Sequence, residues 1–81
     1  MADHSKMMAL AMQQAITAGE LGEVPVGAII VGPGGDIIAQ AHNRIEMDQD
    51  PTAHAEILAI KAAASHLGTR YLTGCALYVT F

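Results

Sequence analysis

A short uncharged run rich in β-branched residues, Val26-Gly27-Ala28-Ile29-Ile30-Val31, constrains this chain more than any other feature. Pro25 precedes it and the cluster Gly32-Pro33-Gly34-Gly35-Asp36 closes it. Branched side chains suit a pleated surface, while Gly, Pro and Asp reverse the chain, so the run reads as a strand entering a turn. Ile37-Ile38-Ala39-Gln40-Ala41 returns on the far side, which predicts a hairpin. The glycines between are not a phosphate loop. Ile37 stands where the next glycine is needed, and a strand rather than a helix follows.

Helical patterns flank the hairpin. From about Ser5 to Ala18, Met8, Leu10, Ala11, Met12, Ala15 and Ile16 recur at three- and four-residue steps, with Lys6, Gln13 and Gln14 between them. Gly19 is expected to stop this helix, and Glu20 to Glu23 to form a polar connector. Asn43 to Asp50 is a polar loop. Asp50-Pro51 places a capping carboxylate before a proline, which predicts a second helix from there to Gly68 through Ala53, Ile57, Leu58, Ile60, Ala64 and Leu67. Cys75 to Phe81 reads as a third strand. The order is α-β-β-α-β, an α/β chain of 81 residues in one domain.

A domain of this size buries only about 60% of its unfolded surface. Three strands and two helices in two layers would leave one sheet face uncovered, so self-association is expected. The sequence closes on Phe81 inside an apolar pattern, which predicts a truncated domain.

With 8 acidic and 4 basic residues the net charge is -4, so no basic stripe marks an autonomous nucleic-acid binder. The longest charge-free stretch, Met7 to Gly19, is 13 residues, short of the roughly 18 a membrane span needs. No secretory signal pattern opens the sequence. The lone Cys75 permits no internal disulfide and suits a reducing, cytoplasmic setting. As a nucleophile Cys75 is disfavoured, since free cysteine at the start of an apolar strand behaves as a small hydrophobe.

Position sorts the four histidines. His4 lies in a terminal segment, His66 in the last turn of the second helix, where a cation suits the dipole, and His42 at the hairpin end, either exposed or hydrogen-bonded. His54 opens the second helix, where the positive dipole end favours the neutral imidazole that binds metals. Glu56 follows two residues later, and that step turns a side chain by about 200° on a regular helix. The two converge only where the helix is just forming. Glu56 is either a solvated carboxylate, a partner of Lys61 or Lys6, or a partly buried group that something binds.

Val24-Pro25-Val26-Gly27-Ala28, His42-Asn43-Arg44, Asp50-Pro51-Thr52-Ala53-His54-Ala55-Glu56 and Leu77-Tyr78-Val79-Thr80 together resemble the tRNA-specific adenosine deaminases of the cytidine deaminase-like zinc superfamily. The resemblance spans nearly the whole chain and implies the amino-terminal part of a three-layer α/β/α fold. It implies hydrolytic deamination of adenosine to inosine in a tRNA anticodon loop, with Zn2+ as cofactor, a homodimer as the assembly and tRNA as partner. His54 would be a zinc ligand. Glu56 would carry protons from attacking water to the purine and to departing ammonia. Asn43 would hydrogen-bond the target nucleotide, Pro25, Val26 and Ala28 would shape the base pocket, and the Ala55 N–H would lie near the reacting centre.

The family's second zinc motif, P-C-x-x-C, is expected just after Phe81, and its two cysteine ligands are not in this sequence. Taken alone, the 81 residues are expected to bind no stoichiometric zinc and to form no inosine. Two other readings stay open: a deaminase of a free base or nucleoside, guanine or cytosine, and a non-catalytic interaction module.

Overall fold

A computed structural model of the chain describes residues 3–80. Helix α1 (His4–Glu20) is followed by strands β1 (Gly27–Val31) and β2 (Ile37–His42), a single helical turn α2 (Ile45–Asp48), helix α3 (Ala55–Leu67) and strand β3 (Ala76–Thr80). Phe81, expected in the third strand, lies outside the described residues.

The sheet has the order β2-β1-β3 and is antiparallel throughout. β1 sits in the middle, with Gly27 opposite both His42 and Thr80 and Ile29 opposite Gln40 and Tyr78. All five β1 residues are buried, as a central strand covered on both faces requires. Alternation along it divides the core. Ala28 and Ile30 pack with Ala55, Ala59 and Ala63 of α3, whereas Ile29 and Val31 pack with Met7 and Ala11 of α1. The helices therefore cover opposite faces. This corrects the two-layer expectation: the uncharged β1 run is apolar on both sides because each side meets a helix.

Small residues set how close each helix lies. Ala55, Ala59 and Ala63 form the buried stripe of α3, and Ala11, Ala15 and Ala18 join Met7 on α1. Gly27 makes the approach possible, since a Cβ there would lie 2.6 Å from the Ala15 nitrogen and 2.7 Å from the Gln14 Cβ. Both contacts are far inside van der Waals distance.

Several boundaries differ from the sequence reading. Asp3 caps α1, accepting from the Ser5 and Lys6 N–H groups, so the helix begins before Ser5. It also passes through Gly19. The reversal comes at Gly22, with φ of +83°, where the Glu23 N–H donates to the Ala18 carbonyl at 2.9 Å. His4 is held rather than loose, its Nδ1 lying 2.6 Å from the Tyr78 hydroxyl. Asp50 caps no helix: its Oδ1 accepts from the Thr52 N–H at 2.8 Å and the Thr52 hydroxyl at 2.7 Å, closing a local turn. α3 starts five residues later and ends at Gly68 as expected. No helix among the described residues is long and apolar enough to cross a membrane.

Candidate active site

The site is assembled where β2 runs out and α3 begins. Asn43 follows β2 directly, and its N–H donates to the Val26 carbonyl at 3.1 Å, which ties it to the entry of β1. Its side chain is 3% exposed. Oδ1 accepts from the Ala55 N–H at 2.8 Å, so Asn43 satisfies, from another segment, one of the donors a helix start leaves free. That bond fixes the amide: the oxygen faces α3, and Nδ2 has no partner among the described residues.

His54 is the N-cap of α3, in extended conformation with φ -76° and ψ 147°, and its side chain makes no capping bond. The imidazole is exposed. Because His54 precedes the helix, the 200° turn that separates residues two apart on a regular helix does not govern His54 and Glu56. Glu56 lies half-buried in the first turn, and no ion pair engages it among the described residues. The expected partners Lys61 and Lys6 are not paired with it.

The other expected residues divide. Ala28 is fully buried beneath α3 with Ala55, and Val26 packs partly against that cluster. Pro25 is exposed outside it. The Ala55 N–H is engaged with Asn43, so its direct effect is on the orientation of that amide. Cys75 is half-buried against the α3-side core, as a small hydrophobe would be. His42 is hydrogen-bonded, with Nδ1 2.9 Å from the Asn43 carbonyl oxygen, and His66 stands in the last turn of α3. An open depression of about 350 Å³ is lined by Gln14, Gln40, Ala41, His42, Arg44 and Leu58. It borders the residues on either side of Asn43 but contains none of Asn43, His54 and Glu56.

The segment between Asn43 and His54 is shaped by its own polar groups. The Arg44 N–H donates to the Ala53 carbonyl at 2.9 Å, closing the loop at its base. The Arg44 guanidinium pairs with Asp48 at 3.1 Å, and that hydrogen bond and charge raise its pKa further. Glu23 was missed as a site neighbour. Read as a connector, it is instead buried, and its carboxylate accepts from the Glu46 and Met47 N–H groups. Its partners are backbone amides of a distant segment, and no side-chain pattern in the sequence announces them.

Imidazole chemistry and placement at a helix start make His54 a suitable zinc ligand. Among the described residues no three His, Cys, Asp or Glu side chains come together. The described residues thus offer one ligand, fewer than the three protein ligands of a catalytic zinc site.

Residues 1–81 match the cytidine and deoxycytidylate deaminase zinc-binding region. The tRNA-specific adenosine deaminase of Aquifex aeolicus is 61% identical over 71 residues, 88% of this chain and 46% of that protein. A solved structure from work on A-to-I editing by tRNA:A34 deaminases at the wobble position superposes with a TM-score of 0.92 at 46% identity, covering 98% of this chain and 60% of that one. Guanine deaminase from Bacillus subtilis superposes at 0.90 with 38% identity, covering 95% and 49%. The chain spans about half the length of the curated adenosine deaminases it matches. Its helices and antiparallel sheet form the amino-terminal part of the fold those proteins share. The chain belongs to the cytidine and deoxycytidylate deaminase zinc-binding family.

Proposed function

We propose that this chain is the amino-terminal part of a zinc-dependent enzyme that hydrolyses adenosine to inosine in a tRNA anticodon loop. The observation that carries the reading is the hydrogen bond from the Ala55 N–H to Asn43 Oδ1. It leaves Asn43 a donor, Nδ2, to offer an acceptor on a purine edge, beside the helix start that bears His54 and Glu56. The 61% identity to a tRNA-specific adenosine deaminase supports the same substrate.

His54 would be the zinc ligand this chain supplies, alongside ligands from outside the described residues. Zinc in such a site makes water acidic enough to attack at neutral pH. Glu56, half-buried and free of ion pairs among the described residues, takes the proton of the attacking water. It gives that proton to the purine ring nitrogen, then takes the second proton from the hydroxyl now on C6 and hands it to the departing amine, so water and adenosine become inosine and ammonia. Pro25, Val26 and Ala28 would shape the base pocket, Val26 being tied to Asn43 through its carbonyl, and Ala55 acts through the Asn43 amide.

The setting proposed is cytoplasmic, and the assembly a homodimer. Exposed Met8, Met12 and Ile16 on α1 and Ile57 and Ile60 on α3 give the chain apolar surface to cover. Sedimentation of the intact protein at twice the chain mass is expected, and a monomer at high concentration excludes the dimer.

Deamination by the intact protein, as its source cell makes it, separates the substrates. An anticodon stem-loop carrying adenosine at the wobble position is expected to yield inosine, with free guanine and cytidine unchanged. Ammonia release from guanine with none from the stem-loop would assign the site to a free base instead.

A further inference from the structure

The geometry points to Glu23 as a positioning residue, whose carboxylate holds the segment from Asn43 to Ala55, and with it the candidate site, against the end of α1. Glu23 is the one carboxylate among the buried side chains of the described residues, at 6% exposure. A buried carboxylate is stable only where its charge is answered. Here both oxygens are used: Oε1 accepts from the Glu46 N–H at 3.1 Å and Oε2 from the Met47 N–H at 2.8 Å. Bonds to a charged acceptor are the stronger kind. The same residue is anchored from behind, its own N–H donating to Ala18 at the end of α1.

Little else holds α2 in place. Its four residues include no buried side chain, so packing contributes little. The Arg44–Asp48 pair is internal to the segment and exposed, and such pairs are weak. What connects α2 onward is a run of backbone bonds. The Asp48 N–H donates to Arg44, the Arg44 N–H to Ala53, and Asn43 next to it accepts from Ala55. Release of α2 from Glu23 therefore frees the loop whose two ends set the Asn43 amide and the start of α3.

The bonding pattern requires a carboxylate. Glu23→Gln conserves size and polarity, yet one of its two terminal atoms becomes a donor and turns an N–H toward an N–H. The effect on catalysis rests on the deaminase reading above; the effect on the loop does not.

Amide hydrogen exchange on the intact protein and on Glu23→Gln tests the proposal. The Glu46 and Met47 amides are expected to exchange at least tenfold faster in the variant. The Ala55 amide should quicken with them, while those of Ile29 and Ile30 are unchanged. Acceleration confined to residues 46 and 47, or spread equally over β1, would overturn it. Should Glu23→Gln fail to fold, Glu46→Pro removes one donor from the other side, with a φ suited to the first turn of a helix, and the Met47 and Ala55 amides are read against those of Ile29 and Ile30. In stem-loop deamination a positioning role raises KM at least tenfold, because Asn43 contacts substrate. A variant that only lowers the folded fraction reduces kcat at constant KM, and that result also overturns the proposal. If the parent protein forms no inosine, the deaminase reading fails while the exchange result still decides the role of Glu23.

Discussion

Asn43 joins two elements through one side chain, and its substitutions separate its two ends. Asn43→Ala leaves the Ala55 N–H buried without a partner, and about 1–3 kcal/mol of stability should be lost in urea unfolding. Asn43→Asp keeps the acceptor at a helix start, where negative charge is favoured, and should lose less. Equal losses would show that the Oδ1 bond holds nothing. Asp50 titrates in the acid limb. The Thr52 hydroxyl, and then the Thr52 N–H, hold its carboxyl below the usual value of 3.8. A carboxyl lowered by folding stabilises above its ordinary pKa and loses that effect as pH falls through the lowered one. Thr52→Val, which removes the first of these bonds, should flatten the dependence of the unfolding midpoint on pH below about 4. An unchanged acid limb would remove Asp50 from the account. At this scale the sequence reading had the residues but not their partners. Asp50-Pro51 carries the signature of a helix cap, yet the nearest acceptor-seeking groups belong to Thr52, and the cap of α3 fell to His54.

The elements were more legible than their ends. Turn residues and an uncharged β-branched run placed β1 and β2 to within a residue, because both signals are local. α1 ran past Gly19 since glycine weakens a helix without ending it, whereas the positive φ at Gly22 reverses the chain. α2 was read as loop because its four residues are held by a carboxylate from elsewhere in the chain. The contact of α1 with β1 is the most sensitive junction. Gly27→Ala would press a methyl group into the backbone of α1 at Ala15 and should destabilise the chain by at least about 3 kcal/mol. A loss under about 1 kcal/mol in urea unfolding would mean that the helix shifts to admit it.

At the scale of the whole molecule, covering both faces of a three-stranded sheet makes β1 the core and leaves both ends of the site on its rim. The strand order and helix placement follow from which residues meet across the sheet, information spread over the chain and absent from any one window of sequence. His54, Glu56 and Asn43 were singled out by the family resemblance that His42-Asn43-Arg44 and Pro51-Thr52-Ala53-His54-Ala55-Glu56 carry, since the spacing of His54 and Glu56 on a regular helix would not bring them together. The clamp by Glu23 was not, since it depends on tertiary approach alone. Glu56 is the group asked to move protons, and its replacement tests the account most directly. Inosine formation in an anticodon stem-loop by the intact protein should fall by a factor on the order of 10² to 10⁴ in Glu56→Gln, with unfolding unchanged. Inosine formation at the parent rate by that variant would contradict the account.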